Sequence, residues 1–404
     1  MSATVTSPPL ANTPPKKTPP RLKVNLRQYG ILAALAVIVI LFDVLTQGRL
    51  LLPGNINNLI QQNAYVLILA IGMVVVIIAG HIDLSVGSVV AMVGAVAAIA
   101  INNWHLPWGL AVVVALLVGA IIGAWQGFWV AFVGIPAFIV TLAGMLIFRG
   151  LTLVLLTGGT INGLPDGFTA IGAGWLPGIM GAIDGRDTLT IALGVLAALG
   201  FIVQQFRNRA AVRRFELPAE PSPSFWIKNV LTAVALVALA WQLSGYSGTP
   251  IILVVLAFLI LAYTFMLNRT VFGRHVYAMG GNLFSALMSG VKTKWVNFFI
   301  FVNMGVLAGL AGVVSTARAG GAVASAGQGY ELDAIAAVFI GGAAVQGGVG
   351  TISGAMIGGL VMGVLNMGLS ILSVDAAWQQ AIKGLVLLLA VAFDIFNKRR
   401  AGGR

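Results

Sequence analysis

The chain has 404 residues, of which 59% are hydrophobic and 8% charged, with a mean hydropathy of +1.00. Soluble domains carry about 25% charged residues, so the polar side chains cannot coat even one water-soluble domain. A nuclear factor, a secreted disulfide scaffold and a cytosolic enzyme are excluded. A formal charge of +12 without any cysteine fits an integral membrane protein whose Lys and Arg mark cytoplasmic loops, with no nucleic-acid partner and no thiol chemistry.

Residues 1–28 are rich in Pro, Thr and Lys and predict a disordered cytoplasmic tail. The basic stretch before the first apolar run is too long for a signal peptide and no small-residue cleavage site follows, so an uncleaved helix is expected. A span needs about 20 apolar residues. Apolar runs between polar breaks predict helices near 30–46, 60–80, 85–102, 108–133, 136–157 and 188–206, then 226–243, 250–267, 296–317, 332–346, 351–372 and 377–395. The expectation is an all-α polytopic bundle of twelve spans over 29–396, ending in a basic cytoplasmic tail at 397–404. The run at 332–346 is short enough to be re-entrant instead.

Basic residues test this order. Lys16, Lys17, Arg21, Lys23 and Arg27 open the chain, and Arg207, Arg209, Arg213, Arg214 and Lys228 fall within the helix pair at 188–243. Arg269, Arg274, Lys292 and Lys294 flank a segment at 268–294, and Lys398, Arg399, Arg400 and Arg404 close the chain. Twelve crossings put all four groups on one side, with both termini cytoplasmic. Glycines four apart (Gly119, Gly123 and Gly127; Gly305 and Gly309; Gly354 and Gly358; Gly359 and Gly363) predict ridges where helix backbones approach closely. A faint echo links His81-Ile-Asp-Leu-Ser-Val-Gly-Ser88 with Tyr330-Glu-Leu-Asp-Ala-Ile-Ala336. Each opens a helix, on opposite sides in this topology, as a weak inverted repeat would have it.

Enzyme signatures are missing. His81, His105 and His275 are far apart, and no paired carboxylates stand at metal or acid–base spacing, so no catalytic residue, metal or cofactor is expected. Gly347-Gly-Val-Gly-Thr351 lacks the Lys of a phosphate loop, so any ATP that drives this chain binds another polypeptide. Arg149, Glu331, Asp333, Asp375 and Lys383 fall in the outward half of the membrane. They form either a polar vestibule for a hydrophilic solute or structural ion pairs and snorkelling side chains. Gln126, Asn366 and Ser370 are candidates to line the route.

The segment 268–294 departs from this pattern. Asn282 can cap a short helix and Gly290 can end it, leaving Leu283, Phe284, Ala286, Leu287 and Met288 as an apolar surface outside the membrane. Such a helix either docks into a partner's groove or lies on the headgroups.

At this segment the chain resembles the permease subunit of bacterial monosaccharide ABC importers. The resemblance also rests on Gly80-His-Ile-Asp-Leu-Ser-Val-Gly-Ser88, Pro136–Gly150, Gly273–Gly290, Tyr330–Ala337 and Lys383–Val391, and covers nearly the whole membrane part. It implies a homodimer in the bacterial inner membrane, a cytoplasmic ATP-binding subunit and a periplasmic sugar-binding protein that meets outward loops such as 158–187. Gly281, Asn282, Leu283, Phe284, Ser285, Ala286, Leu287, Met288, Ser289 and Gly290 match the coupling helix that such permeases offer to the ATPase. The extra pair at 188–243, and the Thr141-Leu-Ala-Gly-Met-Leu-Ile-Phe-Arg-Gly150 run, resemble the xylose-type members, which implies a pentose substrate moved by alternating access. Gly80-His81 and Ser285-Ala286-Leu287 depart from the xylose-type pattern. An ion-coupled sugar carrier needing no ATPase is the alternative; an intramembrane enzyme or a scaffold would show no solute flux.

Overall fold

The fold is that of a computed structural model, which describes residues 26–157, 159–215 and 222–402, with side chains from Gly30 to Ala392. Most of the expected tail at 1–28 therefore lies outside the described residues.

Helices account for nearly everything. In chain order they are α1 (Leu26–Leu45), α2 (Pro53–Ile78), α3 (Val86–Asn102), α4 (Trp108–Phe128, extended by a π turn Trp129–Val133), α5 (Ala137–Leu156), α6 (Asp166–Ala173), α7 (Thr188–Arg214) and α8 (Ser222–Ser244). They continue as α9 (Ile251–Arg269), α10 (Val271–Gly281), α11 (Leu283–Met288), α12 (Thr293–Ala319), α13 (Tyr330–Ile340), α14 (Ile352–Ile371) and α15 (Ala376–Gly402). Among the described residues, strands pair as β1 (Thr160–Asn162) with β4 (Gly321–Val323) and β2 (Ala182–Ile183) with β3 (Arg186–Asp187), and one isolated bridge joins Trp175 to Pro250. Pro107, Pro136, Pro165 and Pro250 each stand just before a helix and Pro53 begins one, positions where the missing N–H costs nothing.

Among the described residues, eight helices are long and apolar enough to cross a bilayer, and three shorter apolar stretches (Gly30–Leu45, Val86–Asn102 and Ala376–Ala392) stand among them. The chain is a polytopic helical membrane protein. α15 continues to Gly402, into the basic segment expected as a tail at 397–404, since Asn397-Lys-Arg-Arg-Ala contains no breaker.

The run at 332–346 is only partly helical. α13 stops at Ile340 and the chain turns through Gly342, Gly347 and Gly348, all at positive φ, a conformation that favours glycine. At about 1.5 Å per residue α13 is roughly 16 Å long, well short of a hydrocarbon core of about 30 Å. The stretch 320–329, which holds β4, leads into it. Gly327 meets Gly87 in the first turn of α3, and at its far end Gly341 packs on Gly354 at the start of α14.

A mirror arrangement stands in the first half of the chain. After α2 ends at Ile78, residues 79–85 turn back and α3 starts level with the middle of α12: Gly94 lies between Gly312 and Thr316. Thus α2–α5 and α12–α15 run in opposite directions, and in each half a helix, an irregular return, a half-helix and two further helices follow in order. The pairings match: α3 packs on α12, α4 and α5, as α13 packs on α2, α14 and α15. The two half-helix N-termini meet at Gly87 and Gly327.

The glycine ridge of α4 faces α12 across a close crossing, where a Cβ on Gly119 or Gly123 would overlap the Gly305 or Phe301 carbonyl. α2 is the most enclosed helix, 89% of its apolar window being buried, against 11% for α7. The α7–α8 pair packs mainly on itself, at the periphery.

Candidate functional site

A cavity of about 520 Å³ opens where α2 and α15 begin and α12 and α14 end. α2 lines it with Gln61, Gln62 and Tyr65, α12 with Ser315 and Arg318, and α13 with Tyr330. Asn366 and Ser370 come from α14, and Gln379 and Lys383 from α15. Such a wall offers hydrogen-bond donors and acceptors on every side within the usual size range of a small-molecule pocket, about 300–1,000 Å³. The rings of Tyr65 and Tyr330 stack with centroids 3.5 Å apart, giving the polar wall one flat aromatic face.

Behind the wall lies Asp333, 1% exposed in the first turn of α13, where the helix dipole favours a carboxylate. Its Oδ2 accepts from Tyr65 Oη at 3.1 Å, Lys383 Nζ at 3.2 Å and Asn366 Nδ2 at 3.4 Å. Asn366 Nδ2 also reaches Asn63 Oδ1 at 3.3 Å. One buried oxygen thus fixes three cavity-lining side chains from three different helices. Asp333 Oδ1 and Asn366 Oδ1 are buried and make no hydrogen bond among the described residues.

The residues expected in a vestibule (Arg149, Glu331, Asp333, Asp375 and Lys383) and along the route (Gln126, Asn366 and Ser370) divide. Lys383, Asn366 and Ser370 line the cavity, and Asp333 sits directly behind it. Arg149 lies elsewhere: its Nη1 donates to the carbonyls of Ala324 at 3.0 Å and Ala326 at 2.7 Å, pinning the irregular return. Glu331 turns toward the first turn of α3, where a Cβ on Gly87 would strike its Oε2. Asp375 accepts from Ala377 N at 2.8 Å and caps α15. Gln126 is buried and donates from Nε2 to Ser85 Oγ at 2.6 Å, away from the cavity. Sequence reasoning passed over Gln61, Gln62, Tyr65, Arg318, Tyr330 and Gln379. The run Gln61-Gln62-Asn63, three amides inside an apolar helix, was the available signal.

The opposite end of the bundle carries α10 and α11. Asn282 caps α11 by accepting from Ser285 N at 2.9 Å, and Gly290, at φ +81°, follows it. Leu283, Phe284, Leu287 and Met288 are exposed, Phe284 by 69% and Met288 by 71%. Ala286 departs from the expectation of an exposed face: it is buried against the core, on the inner side of the short helix. α10 is wedged into the bundle. A Cβ on Gly280 would overlap the Ile78 carbonyl, Gly348 N donates to that same carbonyl at 2.8 Å, and Tyr277 Oη donates to Gly350 O at 2.8 Å. Burial pushes the Tyr277 phenol up, so it remains a donor across the physiological range.

A membrane bundle with opposed half-helices, a polar cavity at one end and an exposed apolar helix at the other has the build of a translocation component. The chain belongs to the family described as the permease component of branched-chain amino acid transport systems, which it matches over residues 55–391. It is 42% identical over 377 residues to the xylose transport system permease protein of Haemophilus influenzae, covering 93% of this chain and 98% of that one. The xylose transport system permease protein of Escherichia coli K12 is 40% identical, covering 94% of each chain. The ribose import permease protein of Bacillus subtilis is 36% identical, covering 91% of this chain and 93% of that one. No solved structure matches the chain.

Proposed function

We propose that this chain is the membrane subunit of an ATP-driven monosaccharide importer, with D-xylose or a related pentose as its substrate. What carries the reading is the opposition of the two ends: a polar, uncharged-solute-sized cavity faces one way and an apolar helix with no lipid-spanning role faces the other. The similarity to xylose and ribose permeases supplies the substrate class. The Gly-rich run at 347–351 lacks the lysine of a phosphate loop, and on this reading ATP is hydrolysed on a separate subunit that grips Leu283, Phe284, Leu287 and Met288 of α11. A sugar-binding protein delivers substrate at the cavity mouth, meeting outward loops within 158–187. The positive-inside rule puts α11 and both termini in the cytoplasm of a bacterial cell, with twelve passages counting 320–340 as one. Two copies form the working unit.

The test is uptake into vesicles that hold the chain with its ATP-binding subunit, with ATP enclosed and D-xylose plus binding protein outside. Uptake is expected only with all components and ATP. Accumulation of D-xylose by the chain alone, driven by a sodium or proton gradient, would overturn the reading in favour of an ion-coupled carrier.

A further inference from the structure

The two inverted halves are alike in order but not in openness. In the second half an acid beside a half-helix N-terminus (Asp333), an amide on the next helix (Asn366) and a cation on the helix after (Lys383) border an open cavity. In the first half the corresponding elements bring together Asp83 and Ser85 before α3, Gln126 on α4 and Thr141 on α5. Asp83 Oδ1 accepts from Ser85 N at 2.8 Å and from Ser85 Oγ at 2.6 Å, and Gln126 donates to Ser85 Oγ. Thr141 Oγ1 reaches the Ile82 carbonyl at 3.4 Å. All of these side chains are buried: Asp83, Ser85, Ser88, Gln126 and Thr141 are each 2% exposed or less. Ser88 Oγ, one turn along α3 from Ser85, is buried with no hydrogen bond among the described residues.

Polar groups at this depth of an apolar bundle are costly, and an acid without a cation is the costliest. No cation bonds Asp83 among the described residues. Packing alone would be served by apolar residues of similar volume. In transporters built from inverted repeats, one repeat rocks or gates against the other around a fixed site, so that access alternates between the two sides of the membrane.

We propose that the Asp83–Ser85–Gln126–Thr141 cluster is the collapsed inward-facing half of the sugar pathway. When the cavity at Tyr65 and Asn366 closes, this cluster parts and becomes the wall of a second polar cavity opening toward α10 and α11. Its ligand is the same neutral monosaccharide, and Ser88 Oγ and the Asp83 carboxylate take its hydroxyls. The inference rests on the importer reading above.

The native chain has no cysteine, so a single substitution creates a unique thiol. Ser85→Cys and Gln126→Cys are each assembled with the ATP-binding subunit in vesicles. Labelling by a charged, membrane-impermeant thiol reagent is then measured from either side, at rest and during ATP-driven uptake. Expected at rest is negligible labelling from both sides. During turnover labelling rises at least tenfold, from the ATPase side only. Ser370→Cys, in the open cavity, labels from the other side at rest and more slowly during turnover. Thr141→Cys, on a neighbouring helix, repeats the test if a first variant fails to assemble. Uptake that continues while these thiols stay unlabelled, or label from the sugar-delivery side, overturns the inference. Absence of ATP-driven uptake in the unsubstituted complex removes instead the importer reading beneath it, and the inference with it.

Discussion

Replacing Asp333 by Asn removes the one negative charge that three cavity side chains share. Its Oδ2 accepts from Tyr65, Lys383 and Asn366, and the ion pair with Lys383 joins a carboxylate 2% exposed to an ammonium 24% exposed. Breaking a fully buried pair costs about 3–5 kcal/mol, mostly through the charge left behind. Here Lys383 borders water in the cavity, so its orphaned charge is partly screened and a loss of about 1–3 kcal/mol is expected. Every 1.4 kcal/mol is about tenfold in an equilibrium, so the population of the correctly formed cavity falls by roughly 5- to 150-fold. The assay is a double-mutant cycle with Lys383→Met, read by unfolding of the purified chain in detergent and by sugar uptake in the complex. Removing Lys383 from the Asp333→Asn background is expected to recover part of the stability, because the unpaired cation goes with it. Strict additivity of the two substitutions, or single variants within about 0.5 kcal/mol of the parent, would refute a working ion pair.

Tyr65→Phe keeps the stack on Tyr330 but removes one donor to Asp333, a net loss of about 0.5–1.5 kcal/mol. Tyr65→Ala removes the aromatic face as well, and uptake at limiting sugar is expected to fall in the order parent, Phe, Ala. A Leu287→Asp/Met288→Asp double variant leaves expression intact and abolishes ATP-dependent uptake; normal uptake would exclude α11 as the contact for the ATPase. Gly280→Ala drives a methyl group into the Ile78 carbonyl, overpacking that costs about 1–3 kcal/mol. ATPase subunits are expected still to copurify with that variant while uptake drops, and loss of copurification would show that Gly280 shapes only the docking face.

Composition and apolar run length were enough to place every long helix, because a lipid-spanning segment must satisfy its backbone internally and carry almost no charge. What they could not resolve was depth. The short run at 332–346 reads as one weak span, but α13 ends at Ile340 and the glycines beyond it turn the chain. The same limit explains the site. Arg149 and Lys383 look alike in a list of intramembrane cations, yet one pins backbone carbonyls and the other meets Asp333, fifty positions away. Gln126 is polar and membrane-buried as expected, but its partner is Ser85. Asn282 and Gly290 were legible as the ends of α11 because capping is local chemistry; that Ala286 turns inward depends on what α11 rests upon.

The cavity and α11 stand at opposite ends of the molecule, so whatever couples them must run the length of the bundle. One continuous route is rigid at each joint. α11 follows α10 after the single residue Asn282, and α10 cannot slide on α2 because Gly280 fits against the Ile78 carbonyl with no room for a side chain. That carbonyl also takes the Gly348 amide, and Tyr277 holds the Gly350 carbonyl, tying α10 to the loop that leaves α13. α13 is short and bounded by glycine turns, its first turn carries Tyr330 and Asp333, and it is locked to α14, where Gly354 and Gly358 press on the Gly341 and Ala337 carbonyls with no room for a side chain. On the importer reading proposed above, a displacement of α11 is expected to reach the cavity through α13 and α14 together, breaking the Lys383–Asp333 contact unless α15 follows. Long spans such as α4 and α12, locked by their glycine ridge, serve as the frame against which that displacement is measured.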